Sequence, residues 1–448
     1  MGSPVISARS MIRPLPTGIL VLLQRGFQAL AGLITMVVIS RFLTPEEQGW
    51  YYTVLSLGAL YTLLDLGLSV LMVPLFAKHF NQVSLLPGGA LEGEGRMAPA
   101  WLLGRTVRWY GGLAAVFLAL ALPGGAVYFN HASITTHSWG WAWVVAVISA
   151  CGILLLMPFL AFIEAAGKVR ALASFRLLQV LLGACACWLM LVRGQEMWAA
   201  VMMPAMSVLV PFLGVLSRWP KLLTLVWRNS GLQVDWRREI LPLQWRQGVI
   251  WACAYLTTQI YTPILMHTQG AVVAGQMGLS LAIMTMVGFL GQSLLARRIP
   301  MMAQAAARRD LSQLDAMFRR DSLFFFASFI CAGLVLLALK LALSGTAYGA
   351  RVLPFWELVG LLGVVFISQL VGVLGTYLRS FLYEPLTKVN LVATLVAVPS
   401  AVVAAHFSSA AVISVLLAAS LLINFPWACS IWWRERRRWQ SLNDDFHA

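Results

Sequence analysis

The sequence predicts an all-α integral membrane protein with about twelve transmembrane helices in two pseudo-symmetric six-helix lobes. Three observations predict it. Long apolar runs fill a chain with few charges, basic residues crowd into alternate connecting segments, and landmarks of the first half recur in the second.

Of 448 residues, 60% are hydrophobic and 11% are charged, and the mean hydropathy is +0.80. A soluble domain carries about 25% charged residues, so the solvent of this chain is lipid. Apolar runs long enough to cross a bilayer fall at about 17–41, 49–77, 107–129, 140–165, 174–192, 198–217, 246–268, 271–296, 322–344, 352–378, 386–405 and 410–433. They are too long, and alternate too little, for barrel strands. Gln24 and Arg25 interrupt the apolar stretch before "ALAG", so the first run reads as an uncleaved helix rather than a signal peptide.

Twelve spans put both chain ends on one side. Of the 32 Lys and Arg residues, only Arg41, Arg193, Lys340 and Arg351 fall on the other side and Arg25 falls inside the first span; the other 27 lie on the side of the termini. By the positive-inside rule both termini are cytoplasmic. The same distribution explains the net charge of +15. Basic residues divided among separate inner segments suit anionic membrane lipid, with no nucleic acid as partner. The stretch "IWWRERRRWQ", 431–440, has the aromatic-then-basic order of a helix leaving the membrane.

A repeat joins the halves. Gly49 precedes Pro74 by 25 residues and Gly275 precedes Pro300 by 25, so the two landmarks are displaced by 226. The expected division is an N-terminal lobe 1–217, a cytoplasmic linker 218–245, a C-terminal lobe 246–433 and a basic cytoplasmic tail 434–448.

Polar residues inside apolar spans are the candidate site. Arg25, Gln28, Gly32 and Thr35 share one face of the first helix, and Gly58, Thr62, Asp65 and Ser69 share one face of the second. A lone charge at mid-bilayer costs about 2.5–3.5 kcal/mol on insertion scales, so it needs a partner or a wet cavity. The two helices are joined by the short turn "LTPEEQ", and the depths of Arg25 and Asp65 match. The expectation is an Arg25–Asp65 pair, either a structural tie or part of a substrate or ion pathway. Tyr255, Thr258, Gln259 and Thr262 share a face of the seventh span. Gln369, Thr376, Tyr377, Asn390, Thr394 and Asn424 dot the last three, where interhelical hydrogen bonds are the ordinary role. Substrate-binding or coupling candidates are therefore Arg25, Asp65, Gln28, Gln259 and Tyr255.

Enzyme chemistry finds no footing. The cysteines make no CxxC pair and sit in apolar helices, the histidines lack ligand spacing, and there is no GxSxG, P-loop or HExxH. No catalytic residue, metal or cofactor is expected. An integral-membrane glycosyltransferase would need a large catalytic loop, which the chain lacks.

"ISRFLTPEEQGWYYTVLSLGALYTLLDLGLS" resembles the first hairpin of bacterial polysaccharide and O-antigen flippases of the multidrug/oligosaccharidyl-lipid/polysaccharide exporter superfamily. Residues 238–280, from "REILPLQW" to "AGQMGLS", resemble the second-half opening of relatives found with surface-polysaccharide genes. The resemblance implies two six-helix lobes around a central cavity, alternating access between them, and a lipid-linked oligosaccharide, a polyprenyl diphosphate sugar, as substrate. It also implies a proton or sodium ion as coupling partner. In such flippases a first-helix arginine meets the diphosphate, and Arg25 matches by position. The chain departs from the pattern in having few other membrane cations: Arg176, Arg246 and Lys340, each near a helix end. The alternative is a cation-coupled multidrug or small-metabolite antiporter of the same superfamily with Asp65 as ion carrier. The loop after the second span lacks the signature of major-facilitator transporters.

Overall fold

The computed structural model describes residues 17–80, 82–131, 139–226, 241–296, 298–381 and 385–447. Among them, 11 helices are long and apolar enough to cross a membrane. Span 1 is Thr17–Phe42, span 3 Met97–His131, span 4 Trp139–Ala165, span 5 Val169–Val192 and span 6 Glu196–Arg218. Span 7 joins Leu241–Thr258 to Tyr261–Thr268, and span 8 is Ala271–Ala296. Span 9 is Leu311–Ala342, span 10 Phe355–Arg379 and span 11 Thr387–Ala404. Span 12 runs from Ser409 to His447 through a π-turn at Ser420–Asn424.

Span 2 corrects the expectation of one helix over 49–77. It is three pieces, Pro45–Gly58, Tyr61–Asp65 and Leu68–Ala77. Its start is well specified: Thr44 caps the Glu47 amide, Glu47 caps the Thr44 amide, and Pro45 fills the first turn. The second break has a backbone cause. Leu66 and Gly67 both take left-handed conformations, φ 48° and 67°. Glycine adopts this readily, whereas leucine adopts it at a cost of about 1–2 kcal/mol. The break is held by span 7: a Cβ on Gly67 would lie 2.6 Å from the Gln247 Cβ, and one on Gly248 would lie 3.1 Å from the Leu66 side chain.

The lobes meet where the repeat places equivalent residues. A Cβ on Gly49 would lie 2.0 Å from the Ala271 carbonyl oxygen, one on Gly275 2.8 Å from the Gly49 nitrogen, and one on Gly278 2.4 Å from the Tyr52 Cβ. Gly49 and Gly275, like Tyr52 and Gly278, are separated by the repeat shift of 226. Contact between equivalent residues is what a two-fold axis produces. Spans 2 and 8 therefore cross on that axis, at the face opposite the chain ends. There the Gln48 side-chain amide donates to the Gly275 carbonyl (2.9 Å) and the Arg351 carbonyl (3.0 Å), and the Arg351 guanidinium donates to the Leu43 carbonyl.

On the face carrying the chain ends the helices are longer than a bilayer requires. Span 3 has 35 residues and span 9 has 32, whereas about 20 suffice. The expected tail at 434–448 continues span 12 as helix as far as His447, the last described residue. This end of span 12 docks on spans 9 and 10 and the turn after span 10 through Arg436–Asp315 (2.5 Å), Trp432 on Tyr377 and a Trp439–Phe381 stack at 4.3 Å. The segment after span 2 forms a small hairpin, Val83–Leu85 against Leu91–Gly93. Its apolar side joins Trp219 and Leu222 in the N-lobe core. The expected linker thus begins as a short helix, Lys221–Leu225, fixed to the N-lobe; its middle, 227–240, lies outside the described residues.

Candidate functional site

Each lobe contains a cavity. The larger, about 650 Å³, is lined by spans 7, 8, 10, 11 and 12 together with Tyr52, Leu55, Ser56 and Ala59 of span 2. Its polar lining is neutral: Ser56, Thr257, Thr258, Gln259, Thr262, Thr285, Ser368, Gln369, Thr387, Asn390, Thr394, Ser420 and Asn424. Arg379 is the only charged residue in the described lining, and no carboxylate joins it there. The Arg379 guanidinium donates to the Thr376 hydroxyl at 3.1 Å.

Local structure explains why polar groups gather here. Span 7 breaks after Thr258, which presents Gln259 at the end of one helical piece and Thr262 at the start of the next. The π-turn in span 12 brings both Ser420 and Asn424 to the cavity; such bulges concentrate at functional sites. Thr262 Oγ1 and Asn424 Oδ1 are buried with no hydrogen-bond partner among the described residues. Unpaired buried polar atoms are costly, so a site that supplies a partner gains from them.

The smaller cavity, about 450 Å³, lies in the N-lobe among spans 1, 2, 4, 5 and 6. Its polar lining is Gln24, Gln28, Tyr61, Ser69, Glu164, Arg176, Gln179 and Ser207. Glu164 and Arg176 form an ion pair at 3.4 Å. Behind Ser69 sits Asp65, 3% exposed. Its carboxylate accepts from the Tyr110 hydroxyl of span 3 and, at 2.6 Å, from the Ser69 hydroxyl. Asp65 ends one piece of span 2 and Ser69 lies in the first turn of the next, so the carboxylate ties span 2 across its left-handed break and to span 3.

This arrangement corrects the expected Arg25–Asp65 pair, which is not among the ion pairs of the described residues. Both Asp65 oxygens are engaged by hydroxyls, and Arg25 is exposed. The predicted face of span 1 divides among three surroundings. Gln28 lines the N-lobe cavity, Gly32 lies under Met286 of span 8, and Thr35 accepts from the Trp188 indole at 2.8 Å. Gln259 lines the large cavity and accepts from the Ser56 hydroxyl at 3.4 Å. Tyr255 lies beside it as an inter-lobe tie, donating to the Ser56 carbonyl at 2.8 Å. Lys340 donates to the Gly349 and Val352 carbonyls, bracing the loop between spans 9 and 10.

Sequence reasoning missed Gln24, Gln179 and Arg379 as lining residues and Tyr110 as the Asp65 partner. Gln24 stands four residues before Gln28, a same-face spacing that was there to be read. The others are brought in only by packing.

Two six-span lobes, crossing at a pseudo-two-fold axis and each lining a cavity, define a multi-pass membrane protein. Solved structures share this fold. The lipid II flippase MurJ in an inward closed conformation matches with a TM-score of 0.58 at 10% identity, over 92% of this chain and 86% of that one. The MATE multidrug transporter DinF-BH matches at 0.57 and 16% identity, over 94% of each chain. An inward-facing multidrug resistance MATE family transporter of the MOP superfamily matches at 0.51 and 14%, over 97% of each. At these identities the likeness establishes the fold. No protein-family profile and no curated protein matches the chain.

Proposed function

We propose that the protein is a flippase for a lipid-linked oligosaccharide, moving a polyprenyl diphosphate sugar across the bacterial inner membrane by alternating access, with both termini cytoplasmic. The observation that carries this reading is the charge of the large cavity. A cationic drug needs a counter-charge, and the described lining holds no carboxylate. A guanidinium among amides and hydroxyls suits the opposite cargo, an anionic diphosphate carrying a hydroxyl-rich head. Arg379 meets the diphosphate, and Gln259, Thr262 and Asn424 offer further hydrogen bonds to its oxygens. Asp65, buried in the N-lobe, is the candidate for coupling to a proton or sodium ion, Arg25 belongs to the entry path along span 1, and Gln28 meets substrate from the N-lobe cavity.

Proteoliposomes test this directly. Fluorescent undecaprenyl diphosphate carrying a short glycan is expected to reach the opposite leaflet only when the protein is present. Ethidium efflux without glycolipid movement supports instead the cation-coupled multidrug or small-metabolite antiporter, the reading that the N-lobe carboxylates favour.

A further inference from the structure

The N-lobe cavity holds a feature that neither ion coupling nor packing uses. Gln24, Gln28 and Gln179 all reach it, from spans 1 and 5, and none of their carboxamides has a hydrogen-bond partner among the described residues. Its two serines are already engaged: Ser69 donates to Asp65 and Ser207 to the Met203 carbonyl. Placing amides at membrane depth without partners is unfavourable, so three together mark a surface that is satisfied from outside the chain.

The chemistry of the partner follows from the groups. A glutamine presents a donor pair and an acceptor on one planar end, which matches neighbouring hydroxyls that both give and accept. The remaining charge is balanced, since Glu164 and Arg176 pair with each other, so the cavity does not select by net charge. The other lobe provides an internal control. Shifted by the repeat of 226, Gln24 and Gln28 correspond to Ile250 and Ala254, both of which line the large cavity. The same two wall positions are thus amides in one lobe and apolar in the other.

We infer that the N-lobe cavity is a carbohydrate subsite in which Gln24, Gln28 and Gln179 hydrogen-bond the hydroxyls of the sugar next to the diphosphate. This rests on the proposed glycolipid substrate and divides it between the lobes, with diphosphate recognition at Arg379 and sugar recognition at the three glutamines.

The test uses the full chain in nanodiscs and competition binding. The probes are bare undecaprenyl diphosphate and the same lipid carrying N-acetylglucosamine, glucose or galactose. At least one sugar-bearing lipid is expected to bind about tenfold more tightly than the bare lipid, the scale of one or two net hydrogen bonds. Replacing all three glutamines by leucine is expected to remove that advantage while leaving the bare-lipid Kd unchanged. Gln28→Leu alone, at an exposed position, serves if the triple variant fails to insert, with a loss of about threefold in the same ratio. Equal binding of bare and sugar-bearing lipids by the wild type, or an advantage that survives the substitutions, overturns the subsite while the flippase reading stands. Failure of every undecaprenyl diphosphate lipid to bind the wild type overturns the reading itself and the subsite with it.

Discussion

The two lobes share a plan and differ in their chemistry. The C-lobe cavity is walled by neutral hydroxyls and amides with Arg379 as the one charged residue of its described lining. The N-lobe cavity has an ion pair, three glutamines and a buried carboxylate behind it. Pseudo-symmetry fixes where walls stand, because it is set by helix crossings that glycines at the axis permit. Side-chain chemistry at equivalent wall positions is free to diverge. On the proposed flippase reading, such divergence lets one lobe hold the diphosphate while the other responds to ions or reads the sugar.

The comparison breaks most severely at the axis itself. Gly49→Val places a side chain where the Ala271 carbonyl stands, and a destabilisation of at least about 3 kcal/mol is expected. Gly58, whose Cβ position is open, provides the contrast: Gly58→Ala should hold or gain up to about 1 kcal/mol. Chemical denaturation in detergent reads both, and equal behaviour of the two glycines breaks the axis argument.

Next in size is the buried carboxylate. Asp65→Leu leaves the Tyr110 hydroxyl without its acceptor, and a loss of about 2 kcal/mol is expected, with Asp65→Asn losing less because it keeps an acceptor. Asn424→Leu in the other lobe removes an oxygen that already lacks a partner, and a change within about 0.5 kcal/mol is expected. If both acid and amide behave alike, the N-lobe is not the chemically committed half.

A third prediction separates the lobes by ligand. Arg379→Gln should weaken undecaprenyl diphosphate binding about tenfold and flatten its salt dependence, because a charge-assisted contact is lost. Glu164→Gln should leave that affinity unchanged. Equilibrium binding at two salt concentrations measures both.

The smallest effect is expected at Arg25. Arg25→Ala should alter stability by no more than about 0.5 kcal/mol, since the side chain is exposed and outside the ion pairs of the described residues. A thermal shift checks that. If export nevertheless collapses in the same variant, Arg25 acts on the substrate path along span 1 rather than in the folded lobe.

Much of the fold was legible in the sequence because lipid imposes a simple rule: each crossing must satisfy its own backbone. That makes apolar run length and the recurrence of Gly49 and Gly275 direct reports on spans and repeat. Hydropathy also marked span 2 as a crossing, although it could not show the breaks, since Leu66 is as apolar in a left-handed turn as in a helix. Tertiary structure alone decided the partners. Depth along two neighbouring helices put Arg25 level with Asp65, but rotation about each helix axis is set by packing against third helices. That packing turned Asp65 toward Tyr110 and gathered Gln24, Gln28 and Gln179 around one cavity. Depth is a one-dimensional quantity that a sequence carries; facing direction depends on neighbours up to hundreds of residues away.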